Sequence, residues 1–203
     1  MELFYKTVSV LEQRVVDMPR PALLGLCQEV FPSGAEAEYK RFSEMPPLDL
    51  FKLVLSKDPK QVRVAIGFLG KGLGEFMNGH LRTPIIDALS RMPVYERNGY
   101  LDQLTGILYG GDKMSPVLRG DQVLVDVLKM VSGLLMDVRS HSCRQHIFQS
   151  PVLNAFVLEN LTSASVEVRR AMLNLLLFSP PEQKEKLLSD ERMKSQVATV
   201  AVS

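Results

Sequence analysis

Apolar residues recur at steps of three and four along almost the whole chain, and this spacing predicts helices. Within residues 58–77 the apolar stripe consists of Val62, Ile66, Leu69, Leu73 and Phe76. Strand-like alternation is confined to residues 197–202, where a short strand or a frayed end is expected. We therefore predict an all-α chain with helices at 2–16, 20–30, 35–44, 46–56, 58–77, 84–91, 94–109, 120–136, 141–149, 151–161, 165–178 and 181–193.

Helix starts recur in one form, in which a side chain able to cap a helix stands immediately before a proline. The five pairs are Asp58-Pro59, Thr83-Pro84, Ser115-Pro116, Ser150-Pro151 and Ser179-Pro180. Ser33 with Glu36 also has the spacing of a capping box, as does Ser179 with Glu182. The intervals between the last three starts are close to the period of helical-repeat proteins.

The stretch AIGFLGKGLGEF, residues 65–76, has the glycine content of a loop that binds phosphate, but its spacing does not fit. A Walker A loop needs Ser or Thr after its Gly-Lys pair, whereas Gly72 follows Lys71 here. The apolar period also continues through the glycines, which favours a helix. Because Gly67, Gly70 and Gly74 share one side of that helix, we expect a neighbouring helix to approach closely there.

Two segments share an order of helices and a Val-Arg pair followed by alanine. Residues 143–178 contain Val168-Arg169 before Ala171, and residues 46–69 contain Val62-Arg63 before Ala65. A looser copy covers residues 98–110 and 121–135. These segments resemble armadillo or HEAT units, in which such a pair braces neighbouring repeats. The resemblance implies a single right-handed α-solenoid domain at 1–203, with about four to five repeats.

The composition is that of a folded protein with no strong charge preference. Hydrophobic residues make up 46% and charged residues 23% of 203 residues, and 24 Lys and Arg nearly balance 23 Asp and Glu. We therefore expect neither a nucleic-acid partner nor a membrane surface. Two cysteines, no apolar secretory segment at the start and no long apolar run indicate a cytosolic or nuclear protein.

Candidate catalytic groups are few, so we predict that the protein is not an enzyme and carries no catalytic or cofactor-binding residues. The one cluster is HSCRQH, in which His141, Cys143 and His146 lie close together and could bind zinc if Cys27 joined them. Structural zinc sites usually combine two pairs of ligands that are close together in the sequence, and this chain has one such pair. A buried thiol beside two polar imidazoles is therefore the favoured interpretation, with a metal-dependent enzyme as an alternative.

The arginines at 139, 144, 169 and 170 form the densest basic group, but acidic residues lie among them and no aromatic residues alternate with them. A nucleic-acid-binding HEAT protein is the corresponding alternative. Neither composition nor spacing indicates a small-molecule ligand.

The order of several motifs resembles the C-terminal half of the proteasome non-ATPase regulatory subunit 5 family. The motifs are Phe4-Tyr5, LFKLVLSKDPKQVRVAIGFLGK from Leu50, VLKMVSGLL from Val127, IFQSPVL from Ile147 and SPPEQKEKLL from Ser179. Members of that family are helical-repeat chaperones for assembly of the proteasomal ATPase base. They are about twice as long, so the chain would be a fragment, a shortened relative or an unrelated solenoid.

The function expected from these features is that of a protein-binding scaffold or assembly chaperone. The resemblance implies the C-terminal domain of a proteasomal ATPase as the partner, and the alternative is a structural subunit of another complex. In armadillo-like repeats the third helix lines the concave surface. The outward residues of 58–77 and 165–178 are then expected to share one groove, with partner-binding candidates Phe68, Lys71, Glu75, Glu167, Arg170 and Asn174. Phe68 is either an apolar anchor for the partner or a ring covered by an adjacent loop.

Overall fold

A computed structural model describes residues 20–74, 79–109, 115–150, 156–157, 159–161, 163–189 and 191. These residues are helical or lie in turns, and none of them is in a β-strand. The α-helices are α1 (Arg20–Val30), α2 (Ala35–Ser43), α3 (Pro47–Leu53), α4 (Pro59–Gly74), α5 (Gly79–Arg91), α6 (Val94–Tyr109), α7 (Asp121–Leu135), α8 (His141–Gln149), α9 (Val166–Leu177) and α10 (Pro181–Ser189). The all-α prediction is thereby confirmed for the described chain. The expected helix at 2–16 and the expected strand at 197–202 lie outside it.

Helices α4 and α7 form the centre of the core. Every residue from Val62 to Gly70 in α4 is buried, and so is every residue from Val125 to Leu128 in α7. A helix that is apolar on all sides must be covered on all sides. Helices α1, α2, α3, α5 and α7 all contact α4, while α4, α5, α6, α8 and α9 contact α7.

Glycines allow α4 and α7 to approach closely. A Cβ atom at Gly70 would lie 2.9 Å from both the Cα and the carbonyl carbon of Asp126, and a Cβ at Gly133 would lie 2.7 Å from the carbonyl carbon of Leu73. Gly67 instead faces the end of the Leu26 side chain in α1. Close backbone approach of a neighbouring helix is therefore confirmed at Gly70. Each glycine costs about 1 kcal/mol of helix propensity relative to Ala, and the tight packing offsets that cost.

The three helices α4, α7 and α9 are neighbours in that order, since α7 contacts both of the others. Helices α4 and α9 carry the two Val-Arg pairs, so the third helices of the two predicted repeats are joined through α7. A right-handed solenoid of armadillo-like repeats stays a prediction.

The predicted capping pattern is only partly correct. Asp58 caps α4, because its Oδ1 accepts a hydrogen bond from the backbone N–H of Lys60 at 2.9 Å. By contrast, α2 begins after Gly34 without a side-chain cap, so the predicted capping box at Ser33 is wrong. Ser115 begins a 3₁₀ turn, Pro116–Leu118, and α7 itself begins after Gly120, whose φ of 105° favours glycine.

The predicted helix start at Thr83-Pro84 is also wrong, because α5 is already helical from Gly79 and continues through Pro84. Proline removes one intrahelical hydrogen bond and usually disfavours such a position. Ile85, Ile86 and Leu89, which follow it, are each at most 2% exposed. Burial of these three side chains stabilises a helix that the local pattern alone would begin later.

Candidate functional site

The two faces of α9 differ sharply in burial. The Ser165 hydroxyl accepts a hydrogen bond from the N–H of Val168 at 3.3 Å and caps the helix. Val168, Met172 and Leu175 are 0% exposed and pack into the core. Their steps of four and three positions place them on one side of the helix.

The opposite face of α9 is open to solvent. Glu167, Arg170 and Asn174 are all exposed, in agreement with their predicted outward orientation. Two large apolar side chains extend the same face, with Val166 53% and Leu177 65% exposed. Residues 166, 170, 174 and 177 follow at steps of four, four and three, so these side chains form one continuous line along the helix.

The corresponding prediction for α4 is wrong. Phe68 is 0% exposed, because the rings of Tyr39 and Phe42 in α2 cover it at centroid distances of 5.9 and 5.7 Å. Val64 on the same side is 0% exposed as well. The ring is therefore part of the core, and the described part of α4 offers no exposed arc at these positions that could share a groove with α9.

The other two candidates near α4 do not form an open face either. Lys71 is partly buried and lies close enough to Asp126 for its charge to oppose the rise in that carboxyl's pKa. Glu75 lies outside the described residues. Of the six predicted partner-binding residues, the structure thus brings together Glu167, Arg170 and Asn174, and it separates Phe68 from them by burial.

A cleft between α7 and α9 borders this exposed face. Its volume is about 180 Å³, and Asn174 belongs both to the exposed face and to the wall of the cleft. The other wall consists of residues from one side of α7 and from its C-terminal end, which follow one another at steps of three, one and three positions. The lining residues are Lys129, Ser132, Gly133, Met136, Ala171, Asn174, Leu177 and Phe178.

The polar groups of the cleft are few and distinct. Ser132 is 8% exposed, and its hydroxyl has no hydrogen-bond partner among the described residues. Lys129 is exposed and makes no ion pair within the same part of the chain. Met136, Ala171 and Phe178 supply apolar surface between them. The cleft therefore combines apolar walls with one cation and one buried hydroxyl.

The most buried charges of the core hold α4 against α7. Arg63 Nη1 donates to Asp126 Oδ2 at 3.0 Å, and the Gln122 amide donates to Asp126 Oδ1 at 2.9 Å. Arg63 is 5% and Asp126 1% exposed. Burial raises the pKa of Asp126, while Arg63 and Gln122 oppose that rise. Arg63 thus joins two neighbouring helices through a buried ion pair, while the bracing of neighbouring repeats by Val-Arg pairs stays a prediction.

The HSCRQH segment does not assemble a metal site within the described chain. His141 is exposed, Cys143 is 6% exposed, and Nε2 of His146 lies 2.7 Å from Oδ1 of Asp102. No group of three or more His, Cys, Asp or Glu side chains suited to a metal ion occurs there. Burial raises the pKa of the Cys143 thiol, and it raises the pKa of the Cys27 thiol to about 11. Both thiols are therefore poor nucleophiles at neutral pH.

Most of the basic cluster is occupied by contacts within the protein. Arg139 pairs with Asp87 and with Asp137, the latter at 2.7 Å, and its hydrogen bonds to Asp137 lower the pKa of that carboxyl to about 2. Arg144 donates to the carbonyl of Asp137 at 3.1 Å. Arg169 donates to the carbonyls of Ser163 and Ala164, the latter at 3.1 Å. Within the cluster, only Arg170 is exposed on the α9 face.

Sequence reasoning missed the cleft and the partner of Arg63. The adjacent small residues Ser132 and Gly133 in the apolar stretch VLKMVSGLL were the available signal for the cleft. Asp126 was the signal for the ion pair, because a carboxylate inside an otherwise apolar helix needs a partner.

Comparisons with protein-family models, with curated proteins and with solved structures find no match to this chain. No helix among the described residues is both long and apolar enough to span a membrane.

Proposed function

We propose that the protein is a non-catalytic, protein-binding scaffold whose contact surface is the exposed face of α9. The observation that carries the proposal is the line of Val166, Arg170, Asn174 and Leu177, in which two large apolar side chains are more than half exposed. Apolar residues set among polar ones on a rigid helix are typical of protein interfaces.

The proposed partner class follows from the sequence resemblance alone. That resemblance favours an assembly chaperone that binds the C-terminal domain of a proteasomal ATPase. The all-helical architecture is compatible with such a role, because packed helices can hold one exposed helix face rigidly. The second candidate function, a structural subunit of another large complex, would use the same face.

The test is capture of partners from native lysate with three versions of the tagged protein. Arg170→Glu reverses a charge in the centre of the face, and Lys57→Glu makes the same change at an exposed position between α3 and α4. We expect the wild type and Lys57→Glu to retain one stoichiometric partner, and Arg170→Glu to lose most of it. Thermal melting of all three proteins checks that the fold is retained.

The identity of the captured protein decides between the two functions. Recovery of proteasomal ATPases supports the chaperone role, while recovery of an unrelated stoichiometric complex supports the structural role. If Arg170→Glu retains its partner as well as Lys57→Glu does, the α9 face is not the contact surface and the proposal fails.

A further inference from the structure

The cleft between α7 and α9 has the size of a single side chain. Its volume is about 180 Å³, and an apolar cavity of about 150 Å³ is enough to bind benzene. A phenylalanine or leucine side chain therefore fits, whereas a nucleotide or a large cofactor does not. The apolar walls of Met136, Ala171 and Phe178 suit such a group.

The polar residues of the cleft indicate the charge of what enters it. Lys129 is the charged residue of the lining, and it lies exposed without an ion-pair partner in the described chain. Ser132 is more than nine-tenths buried and its hydroxyl lacks a partner there, which is an unfavourable state for a buried hydrogen-bonding group. An acceptor oxygen carrying negative charge would complement both residues.

We propose that this cleft binds one apolar side chain of a partner protein, with a neighbouring carboxylate that pairs with Lys129. An oxygen atom of the same partner segment accepts a hydrogen bond from the Ser132 hydroxyl. This inference rests on the proposed function, because Asn174 and Leu177 belong both to the cleft and to the exposed face of α9. The cleft is then the anchor point of that face, where one buried side chain supplies most of the affinity.

Small probes test the cleft without a partner. N-acetylphenylalanine carries the ring and the carboxylate, its amide lacks the charge, and N-acetylalanine lacks the ring. Each compound is titrated at low salt while the backbone N–H signals of the protein are followed by NMR. We expect N-acetylphenylalanine to bind in the millimolar range, at least about threefold more tightly than N-acetylphenylalanine amide. It should also bind much more tightly than N-acetylalanine. The shifted amides should belong to α7 and α9.

Two variants assign the binding to the cleft. Lys129→Gln should abolish the preference for the carboxylate over the amide, while Lys57→Gln, at another exposed lysine, should keep it. Ser132→Ala should weaken N-acetylphenylalanine by about threefold or more without changing the fold. Absence of binding by the wild type, equal affinity for acid and amide, or an unchanged preference in Lys129→Gln would each overturn the proposal.

The partner-level test separates this inference from the proposed function. Lys129→Glu should reduce the captured partner at least about fivefold, and because Lys129 is exposed the fold should be retained. If Arg170→Glu loses the partner while Lys129→Glu keeps it, the scaffold function stands and the cleft is not its anchor. If neither variant loses the partner, both proposals fail.

Discussion

Helices α4 and α9 both carry a Val-Arg pair near their start, but their outward sides lie in different surroundings. Aligning Val62 with Val168 places Phe68 opposite Asn174 and Lys71 opposite Leu177. The inward residues behave alike, since Ile66, Met172, Leu69 and Leu175 are all 0% exposed. The outward residues do not, because α2 covers this side of α4 while the same side of α9 is open. The helical period determines which side faces the core, but not whether the other side is covered.

The residues themselves reflect this difference. At the two aligned outward positions α4 carries Val64 and Phe68, whereas α9 carries Arg170 and Asn174. Apolar residues on both sides of a helix are typical of a helix buried on both sides. Apolar residues at the outward positions of α4, where α9 has polar ones, therefore indicate that Phe68 is covered.

The largest expected difference in stability is between truncations at two aligned outward positions, Phe68 and Asn174. Phe68→Ala removes a fully buried ring and should lower the free energy of unfolding by about 3–5 kcal/mol. Asn174→Ala, on the exposed side of α9, should change it by no more than about 0.5 kcal/mol. Urea unfolding of both variants measures the difference. Similar small losses in both would mean that the two helices are equally exposed and would contradict the comparison.

A second difference lies in the arginines of the two Val-Arg pairs. Arg63 crosses to Asp126 on α7, whereas Arg169 bonds two carbonyls in the turn that precedes its own helix. Arg63→Ala leaves a buried carboxylate without its cation and should cost about 3–5 kcal/mol of unfolding free energy. Arg169→Ala loses hydrogen bonds of a partly exposed side chain and should cost about 1 kcal/mol. Chemical denaturation of the two variants measures both costs.

The control for Arg63 is a double variant, Arg63→Met with Asp126→Leu. Replacement of both charges by apolar side chains of similar size removes the unpaired charge, and such replacements are often neutral or stabilising. We expect most of the loss seen in Arg63→Ala to be recovered. A double variant as unstable as Arg63→Ala would show that packing of the arginine, rather than its charge, holds α4 against α7.

The sequence was informative wherever a property depends on neighbours within one helix. The bounds of α1, α6 and α8 agree with the predicted 20–30, 94–109 and 141–149. The close approach at Gly70 also followed from the pattern of one helix, in which glycines three and four positions apart share one side.

Properties that depend on two distant segments were not predicted. Phe68 is covered by α2, which the chain reaches nearly thirty residues earlier at Tyr39. The cleft arises between Lys129 and Asn174, which are on different helices. The partner of Arg63 is Asp126, and neither residue identifies the other by spacing along one helix. The period of a single segment carries no information about which other segment will pack on it.

The smallest expected effect tests the close backbone contact between α4 and α7. The positions of Gly67 and Gly70 correspond to Leu173 and Leu176 in α9, which are large and partly buried. Gly70→Ala would place a methyl group 2.9 Å from backbone atoms of Asp126, and backbone in a core helix cannot yield as a flexible side chain can. We expect a loss of about 1–3 kcal/mol in thermal or urea unfolding, although alanine is the better helix former. Gly25→Ala is the matched control, because among the described residues no side chain and no neighbouring helix lies within 4 Å of a Cβ added at this exposed position of α1. It should stabilise the protein by about 0.5–1 kcal/mol, so the two identical substitutions are expected to differ in sign. If Gly70→Ala were also stabilising, α4 and α7 would not be in close backbone contact.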